Sequence, residues 1–315
     1  MSDKKPLIVI TGPTAVGKSK LAVELAKEMN GEIISADSMQ VYRYMNVGTA
    51  KITQEEMSGI KHYLIDELYP WEDFNVVEFK RRAQLAMHEI YQKGKIPVIA
   101  GGTGFYIQAI LRDIDFTETE GNNHYRDILE QISEGDTGHD VLHRLLLDID
   151  PESAQLIHPN NTKRIIRALE FYHMTGTKIS DHNEEEKQKS SPYQFCYFVL
   201  TDDREKLYQR IEDRVDKMIH DGLVEEVESL LHMGCKREMV SMQGIGYKEI
   251  IDYLNNNITL DEAIYRMKRD TRHFAKRQLT WFKREKEVIW IERQEKTEAQ
   301  LLMEVMTKCK AILTV

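Results

Sequence analysis

Eight residues, Gly12-Pro13-Thr14-Ala15-Val16-Gly17-Lys18-Ser19, fit the pattern G-x-x-x-x-G-K-[ST] and restrict the fold more than any other part of the chain. The apolar run at 7–11 before them reads as a strand, and 18–29 after them as a helix. In that setting backbone N–H groups and the positive end of the helix surround phosphate oxygens, Lys18 neutralises charge, and the Ser19 hydroxyl can ligate Mg2+. Strand, loop and helix in this order open an α/β core. They do not say whether the phosphate is cleaved by water or made to leave from something else.

Apolar runs at 32–36, 62–68 and 96–100, with helical periodicity at 76–92, continue the pattern. Continuous apolar strands between helices mean a parallel sheet covered on both faces, so the first 115 residues read as an α/β nucleotide-binding core. Thereafter polar turns alternate with short helical patterns. Residues 116–193 are expected to be a helical insertion domain, with 181–193 as its return linker. Strands at 195–200 and 288–292 and helices at 204–221, 224–233, 247–254, 260–285 and 299–313 complete the expectation, so that 1–115 and 194–315 form one catalytic core. A chain of 315 residues, 41% hydrophobic and 30% charged, has apolar surface enough for this without disulfides. Its three cysteines are widely spaced and read as inert thiols. No apolar run reaches 18 residues and the amino terminus lacks a secretion signal, which points to a cytoplasmic protein away from membranes.

The ends of the second and fourth expected strands carry the rest of the chemistry. Water-splitting relatives of the phosphate loop place a magnesium-holding Asp after a second apolar strand. Here 96–100 ends instead in Gly101-Gly102-Thr103-Gly104. That turn is either a second oxygen cradle, its glycines letting backbone approach a ligand, or a plain strand-to-helix turn capped by Thr103. Asp37, at the carboxyl end of 32–36, can hold magnesium through water, accept a proton, or merely cap. Gln40 offers the donor and acceptor needed for an amide or a base edge. In 204–221, a turn of about 100° per residue puts Arg214 in the apolar stripe of Leu207, Ile211 and Met218. Its guanidinium must meet an anion there, either a protein carboxylate or a ligand phosphate.

A formal net charge of −9 argues against a surface coated for nucleic acid. The segment 266–286 reverses that locally, with nine Lys or Arg against two acids, a net +7 over 21 residues. Phe274, Trp281 and Phe282 lie among those charges, where aromatics could stack on exposed bases or face the core. Lys163, Arg164 and Arg167 make a second modest patch. On the residues alone, a small-molecule kinase that transfers phosphate from ATP is the main rival to an enzyme acting on RNA.

Taken together, "GPTAVGKS", "ISADSMQVYRYMNVGTAK", "GGTGFYIQA", "RIEDRVDKMIHDGLVEEV", "MQGIGYKE" and "FAKRQLTWFK" resemble the bacterial tRNA dimethylallyltransferase family, from residue 7 to about 290. The resemblance implies a P-loop nucleoside-triphosphate-hydrolase-like parallel sheet with a helical insertion that clasps the tRNA anticodon stem-loop. It implies transfer of a dimethylallyl group from dimethylallyl diphosphate to N6 of the adenosine immediately 3′ of the anticodon, with Mg2+, by a monomer without an obligate protein partner. Asp37 then corresponds to the general base, and Thr14, Lys18, Ser19, Thr103 and Arg214 to the surroundings of the diphosphate, with Ser19 as metal ligand. The stretches matching tRNA contacts are Asp37, Ser38, Met39 and Gln40; Lys163, Arg164, Ile165, Ile166 and Arg167; Gln243, Gly244, Ile245, Gly246, Tyr247 and Lys248; and Lys276, Arg277, Gln278, Leu279, Thr280, Trp281, Phe282 and Lys283. Eukaryotic relatives carry a zinc finger for which this chain has no cysteine–histidine cluster.

Overall fold

The computed structural model describes residues 4–116 and 123–313. Its sheet is built from β1 (Lys5–Thr11), β2 (Gly31–Ala36), β3 (His62–Tyr63), β4 (Ile96–Gly101), β5 (Tyr193–Thr201) and β6 (Ile289–Glu292), in the order β3-β2-β4-β1-β5-β6. Every pairing is parallel. All the strands therefore end at one edge, where α/β sheets bind ligands. Successive residues of β1 feed opposite faces: Leu7 and Val9 enter one buried cluster, Ile8 and Ile10 the other. Burial on both sides is why these strands read as unbroken apolar runs rather than alternating ones.

The helices of this unit are α1 (Lys18–Glu28), α2 (Gln54–Met57), α3 (Val76–Gln92) and α4 (Gly104–Leu111), followed after the insertion by α10 to α14. Those are α10 (Arg204–His220), α11 (Leu223–His232), α12 (Tyr247–Leu254), α13 (Leu260–Phe282) and α14 (Glu298–Ile312), with a short 3-10 turn at Val240–Gln243. Capping is explicit in several of them. Asn75 accepts from the N–H groups of Val77 and Glu78 ahead of α3, and Asp203 from those of Glu205 and Lys206 ahead of α10.

Arg112–Ser191 forms a second compact unit. Its described residues hold α5 (Asn123–Ser133), α6 (Gly138–Ile149), α7 (Pro151–Leu156), α8 (Thr162–Thr175) and α9 (Ile179–Gln188), and no strand. Leu129, Leu142, Leu146, Ile165, Ile166 and Leu169 make its own core.

Two expectations need correction. The return linker at 181–193 is helical for most of its length, as α9. Its Glu, Lys and Gln residues are sound helix formers; Asp150 accepts from the N–H of Ser180, and buried Glu186 accepts from that of Asp115. The strand expected over 62–68 stops after Tyr63, because Leu64 (φ 59°) and Asp66 (φ 55°) turn into the left-handed region and leave the pleat.

Candidate active site

Loops after β1, β2 and β4 meet α10, α12 and α13 around a cavity of about 350 Å³. Thr14, Asp37, Ser38, Met39, Gly102, Thr103, Arg214, Gln243, Gly244, Ile245, Tyr247, Lys248, Arg277 and Gln278 all line it, with Gly48, Thr49, Phe274 and Met218 among the others. A larger cavity of about 830 Å³ shares Arg214 and Met218 with the first and contains Ser19. Five stretches separated along the chain thus converge on the phosphate loop.

The loop itself is held in shape by close approaches. Gly12 has φ 145°, and a Cβ there would lie 2.5 Å from the Leu200 carbonyl oxygen. Gly17 (φ 93°) is the N-cap of α1, and a side chain on it would strike the Arg293 guanidinium. Arg293 donates to the Val16 carbonyl at 3.0 Å and pairs with Glu298. The Lys18 ammonium folds back to donate to the Pro13 carbonyl at 2.8 Å. Burial and the neighbouring Arg214 charge pull its pKa down to about 7, while Asp37 acts in the opposite sense.

Arg214 stands without the protein carboxylate that was one of its two expected partners. No carboxylate pairs with it among the described residues; its Nη1 instead points at the Thr14 hydroxyl, 3.5 Å away. Burial lowers its pKa, with Asp37 and Glu56 offsetting part of that effect through space. A guanidinium in this position is short of an anion. Asp37 faces the same cavity, and its Oδ1 accepts from the N–H groups of Met39 (2.9 Å) and Gln40 (3.3 Å). It therefore does form a local turn, with Oδ2 left without a hydrogen-bond partner among the described residues.

The glycine turn after β4 is tight for a reason other than ligand approach. A Cβ on Gly101 would sit 2.3 Å from the Ala36 carbonyl oxygen, on Gly102 2.1 Å from the Gln278 amide nitrogen, and on Gly104 2.2 Å from the Trp281 ring. The Thr103 N–H is spent on the Ala36 carbonyl, which leaves its hydroxyl for the cavity. Gln278, expected at an RNA surface, is buried and clasps two loops: Oε1 accepts from the Thr14 N–H at 2.8 Å and Nε2 donates to the Gly102 carbonyl at 3.0 Å.

Other expected contact residues separate into packing and surface. The side chains of Ile165, Ile166 and Phe282 are buried in cores, and the Trp281 ring packs on Gly104. Gln40 is committed within the protein, accepting from the Ser35 hydroxyl and donating to the Thr49 and Ala50 carbonyls. Lys163 and Arg164 are exposed on α8, in the second unit. Along α13, Arg266, Lys268, Arg269 and Arg272 are paired with Glu262, Asp216, Asp270 and Glu212. Lys276, Arg277 and Lys283 have no ion pair among the described residues, so the positive charge left over lies at the carboxyl end of the helix. Two residues to which the sequence assigned no role complete the scaffold: Arg293, beneath the phosphate loop, and Glu226, inside the quoted stretch 210–227, which receives four hydrogen bonds.

Among the described residues no three His, Cys, Asp or Glu stand together to hold a metal. No helix there is long and apolar enough to cross a membrane.

Comparison with known proteins agrees across sequence and structure. The IPP transferase family matches residues 40–285. A tRNA dimethylallyltransferase of Lachnoclostridium phytofermentans is 58% identical over 96% of both chains, and one of Carboxydothermus hydrogenoformans 50% identical over 98% of both. The crystal structure of a tRNA isopentenylpyrophosphate transferase from Bacillus halodurans superposes with a TM-score of 0.74 at 43% identity, covering 98% of this chain and 96% of that one. A eukaryotic dimethylallyltransferase acting on tRNA gives a TM-score of 0.80 at 32% identity, over 92% of this chain and 74% of the other.

Proposed function

The chain belongs to the IPP transferase family, and from that premise we propose that it transfers a dimethylallyl group from dimethylallyl diphosphate to N6 of the adenosine immediately 3′ of the anticodon in tRNA. The observation that carries this reading is Arg214, a half-buried cation with no carboxylate paired to it among the described residues, set against Thr14 in a cavity that Asp37 also faces. An amine conjugated to a purine is a weak nucleophile. Its attack on the allylic C1 forms an N–C bond as the C–O bond breaks, and the electron pair leaves on diphosphate. The growing charge is neutralised in place by Lys18, Arg214 and the N–H groups at the start of α1, with the Thr14 and Thr103 hydroxyls as further donors. The N6 proton passes to Asp37.

A divalent cation suits the donor set, and we assign Mg2+. With no three-carboxylate cluster among the described residues to hold it, the ion would be held by the Ser19 hydroxyl together with diphosphate oxygens, hard oxygen donors of the kind magnesium takes. It supplies further charge neutralisation on the leaving group. The exposed cations Lys276, Arg277 and Lys283 contact tRNA phosphates, and Lys163 and Arg164 of the helical unit contact the anticodon stem-loop. The enzyme works as a monomer in the cytoplasm, a setting that suits its three free, buried cysteines.

The decisive assay combines purified protein, labelled dimethylallyl diphosphate, Mg2+ and unmodified tRNA with adenosine at the target position. Labelled N6-alkyladenosine is expected; absence of product together with ATP-dependent phosphorylation of a metabolite would replace this reading with a kinase.

Two further outcomes follow from the charges. At pH 8 the Lys18 amine of the free protein is largely neutral, since its pKa is about 7. A bound diphosphate raises that pKa, so binding takes up protons: roughly up to one more per site than in Lys18→Met. Calorimetry in buffers of different ionisation enthalpy measures the difference. For the tRNA surface, Lys276→Ala combined with Lys283→Ala should reduce the slope of log affinity against log salt by about 1.4–1.8, at roughly 0.7–0.9 per lost phosphate contact. Filter binding across a salt series reads it, and diphosphate affinity should stay unchanged.

A further inference from the structure

Glu226, half-buried on α11, has no direct part in the chemistry above, yet its carboxylate is filled with donors. Oε2 accepts from the N–H groups of Asn46 at 2.7 Å and Val47 at 2.8 Å. Oε1 accepts from the N–H of Gly48 at 3.0 Å and the Tyr247 hydroxyl at 2.7 Å. Three successive N–H groups aimed at one anion form a nest of the kind that elsewhere receives phosphate. Here the protein supplies the anion itself.

The consequence is felt in the reaction cavity. Gly48 is pressed so closely on the Tyr247 ring that a Cβ would lie 2.6 Å from it, and both residues line the cavity with Asp37. Tyr247 is fully buried, and burial with the adjacent Glu226 charge pushes its pKa well above the usual phenol range, so it remains a donor. Glu226 thus joins the turn downstream of Asp37 to the first residue of α12. The same turn is held from its other side by the Lys51 ammonium, which donates to the Tyr42 carbonyl and the Asn46 side chain.

We propose that Glu226 is a positioning residue for the reaction. Through the backbone at 46–48 and the Tyr247 hydroxyl it fixes the wall against which the acceptor base is held beside Asp37. Glu226 makes no hydrogen bond or ion pair with Thr14, Lys18 or Arg214 among the described residues, although Asn46 and Val47 of the turn it holds also border the larger cavity with Ser19 and Arg214. The inference rests on the alkyl-transfer reading above.

Steady-state kinetics with dimethylallyl diphosphate and unmodified tRNA, together with diphosphate titrations, test it on Glu226→Gln, Tyr247→Phe and the double variant. A glutamine must turn an NH2 toward N–H donors, so it cannot keep all four bonds. Glu226→Gln is expected to lower kcat/KM for tRNA about 10- to 100-fold, while diphosphate affinity stays within about two-fold, because none of the four groups bonded to Glu226 hydrogen-bonds Thr14, Lys18 or Arg214. Tyr247→Phe should move the same quantity by about 3- to 10-fold, and the double variant should fall well short of the product of the two effects, as for groups acting as one unit. Unchanged tRNA kinetics in both single variants would overturn the proposal. So would a parallel loss of diphosphate affinity, the mark of a merely structural role. Should Glu226→Gln fail to fold, Tyr247→Phe decides alone, by showing or lacking the split. A wild-type protein that alkylates no tRNA would instead remove the functional reading itself.

Discussion

Arg214→Gln is expected to lower kcat by about 10²–10³ while leaving the ligand-free protein at least as stable as before, the cost being that of one missing donor at a developing anion. The two halves of this result separate a ligand cation from a structural one. An Arg that anchors the fold through a carboxylate leaves a buried charge unpaired when removed and destabilises strongly. Here no carboxylate pairs with the guanidinium among the described residues, and burial already lowers its pKa. Removing the charge from an empty site relieves a desolvation cost. Glutamine keeps most of the stem, which lines the cavity with Ile211 and Met218, so the variant tests charge rather than volume. Lys18, freed from a like charge, should titrate higher than about 7. Rapid-quench turnover, thermal melts with and without diphosphate, and the Lys18 titration together check the prediction. The thermal gain from diphosphate should shrink in the variant, and a wild-type rate would refute the assigned role.

The reach of sequence reasoning can be judged from particular residues. Arg214 was legible because a charge interrupting a helical stripe needs only the period of the helix to be noticed. The phosphate loop was legible because its shape is written in one short stretch. Gln278 was not. Among basic and aromatic neighbours it reads as a surface residue, and its role exists only where α13 crosses the loops after β1 and β4. The glycines at 101, 102 and 104 show the same limit: each demands a close approach, but the sequence does not say whether ligand or protein is the neighbour. Ala36, Gln278 and Trp281 occupy those spaces. Glu226 sits in the quoted stretch 210–227 beside a second glutamate with nothing local to distinguish it, and the N–H groups that give it meaning come from a turn about 180 residues earlier. Local motifs are thus visible in the chain, whereas bracing contacts depend on long-range packing. Helix α9 failed for a third reason, since a polar segment is held helical by tertiary partners, Asp150 and Asp115, that no window contains.

Asp37→Asn is expected to lower kcat by about 10²–10⁴, the range of a lost general base, with diphosphate affinity unchanged or higher. The substitution is unusually clean. Oδ1 of Asp37 accepts from the Met39 and Gln40 N–H groups, and an asparagine oxygen can do the same, so the turn that sets the cavity edge survives. What disappears is a negative charge that acts through space on Lys18 and Arg214. Its removal takes away repulsion toward an incoming diphosphate, which is why donor binding should hold or tighten as turnover collapses. A residue that served only as a cap predicts the reverse pattern, small kinetic loss with the turn intact. A residue that mainly held the metal predicts weaker donor binding that added Mg2+ partly restores. Single-turnover rates, diphosphate titration and a magnesium series on the one variant therefore distinguish all three roles, and only base catalysis gives slow chemistry on a fully occupied site at every magnesium concentration.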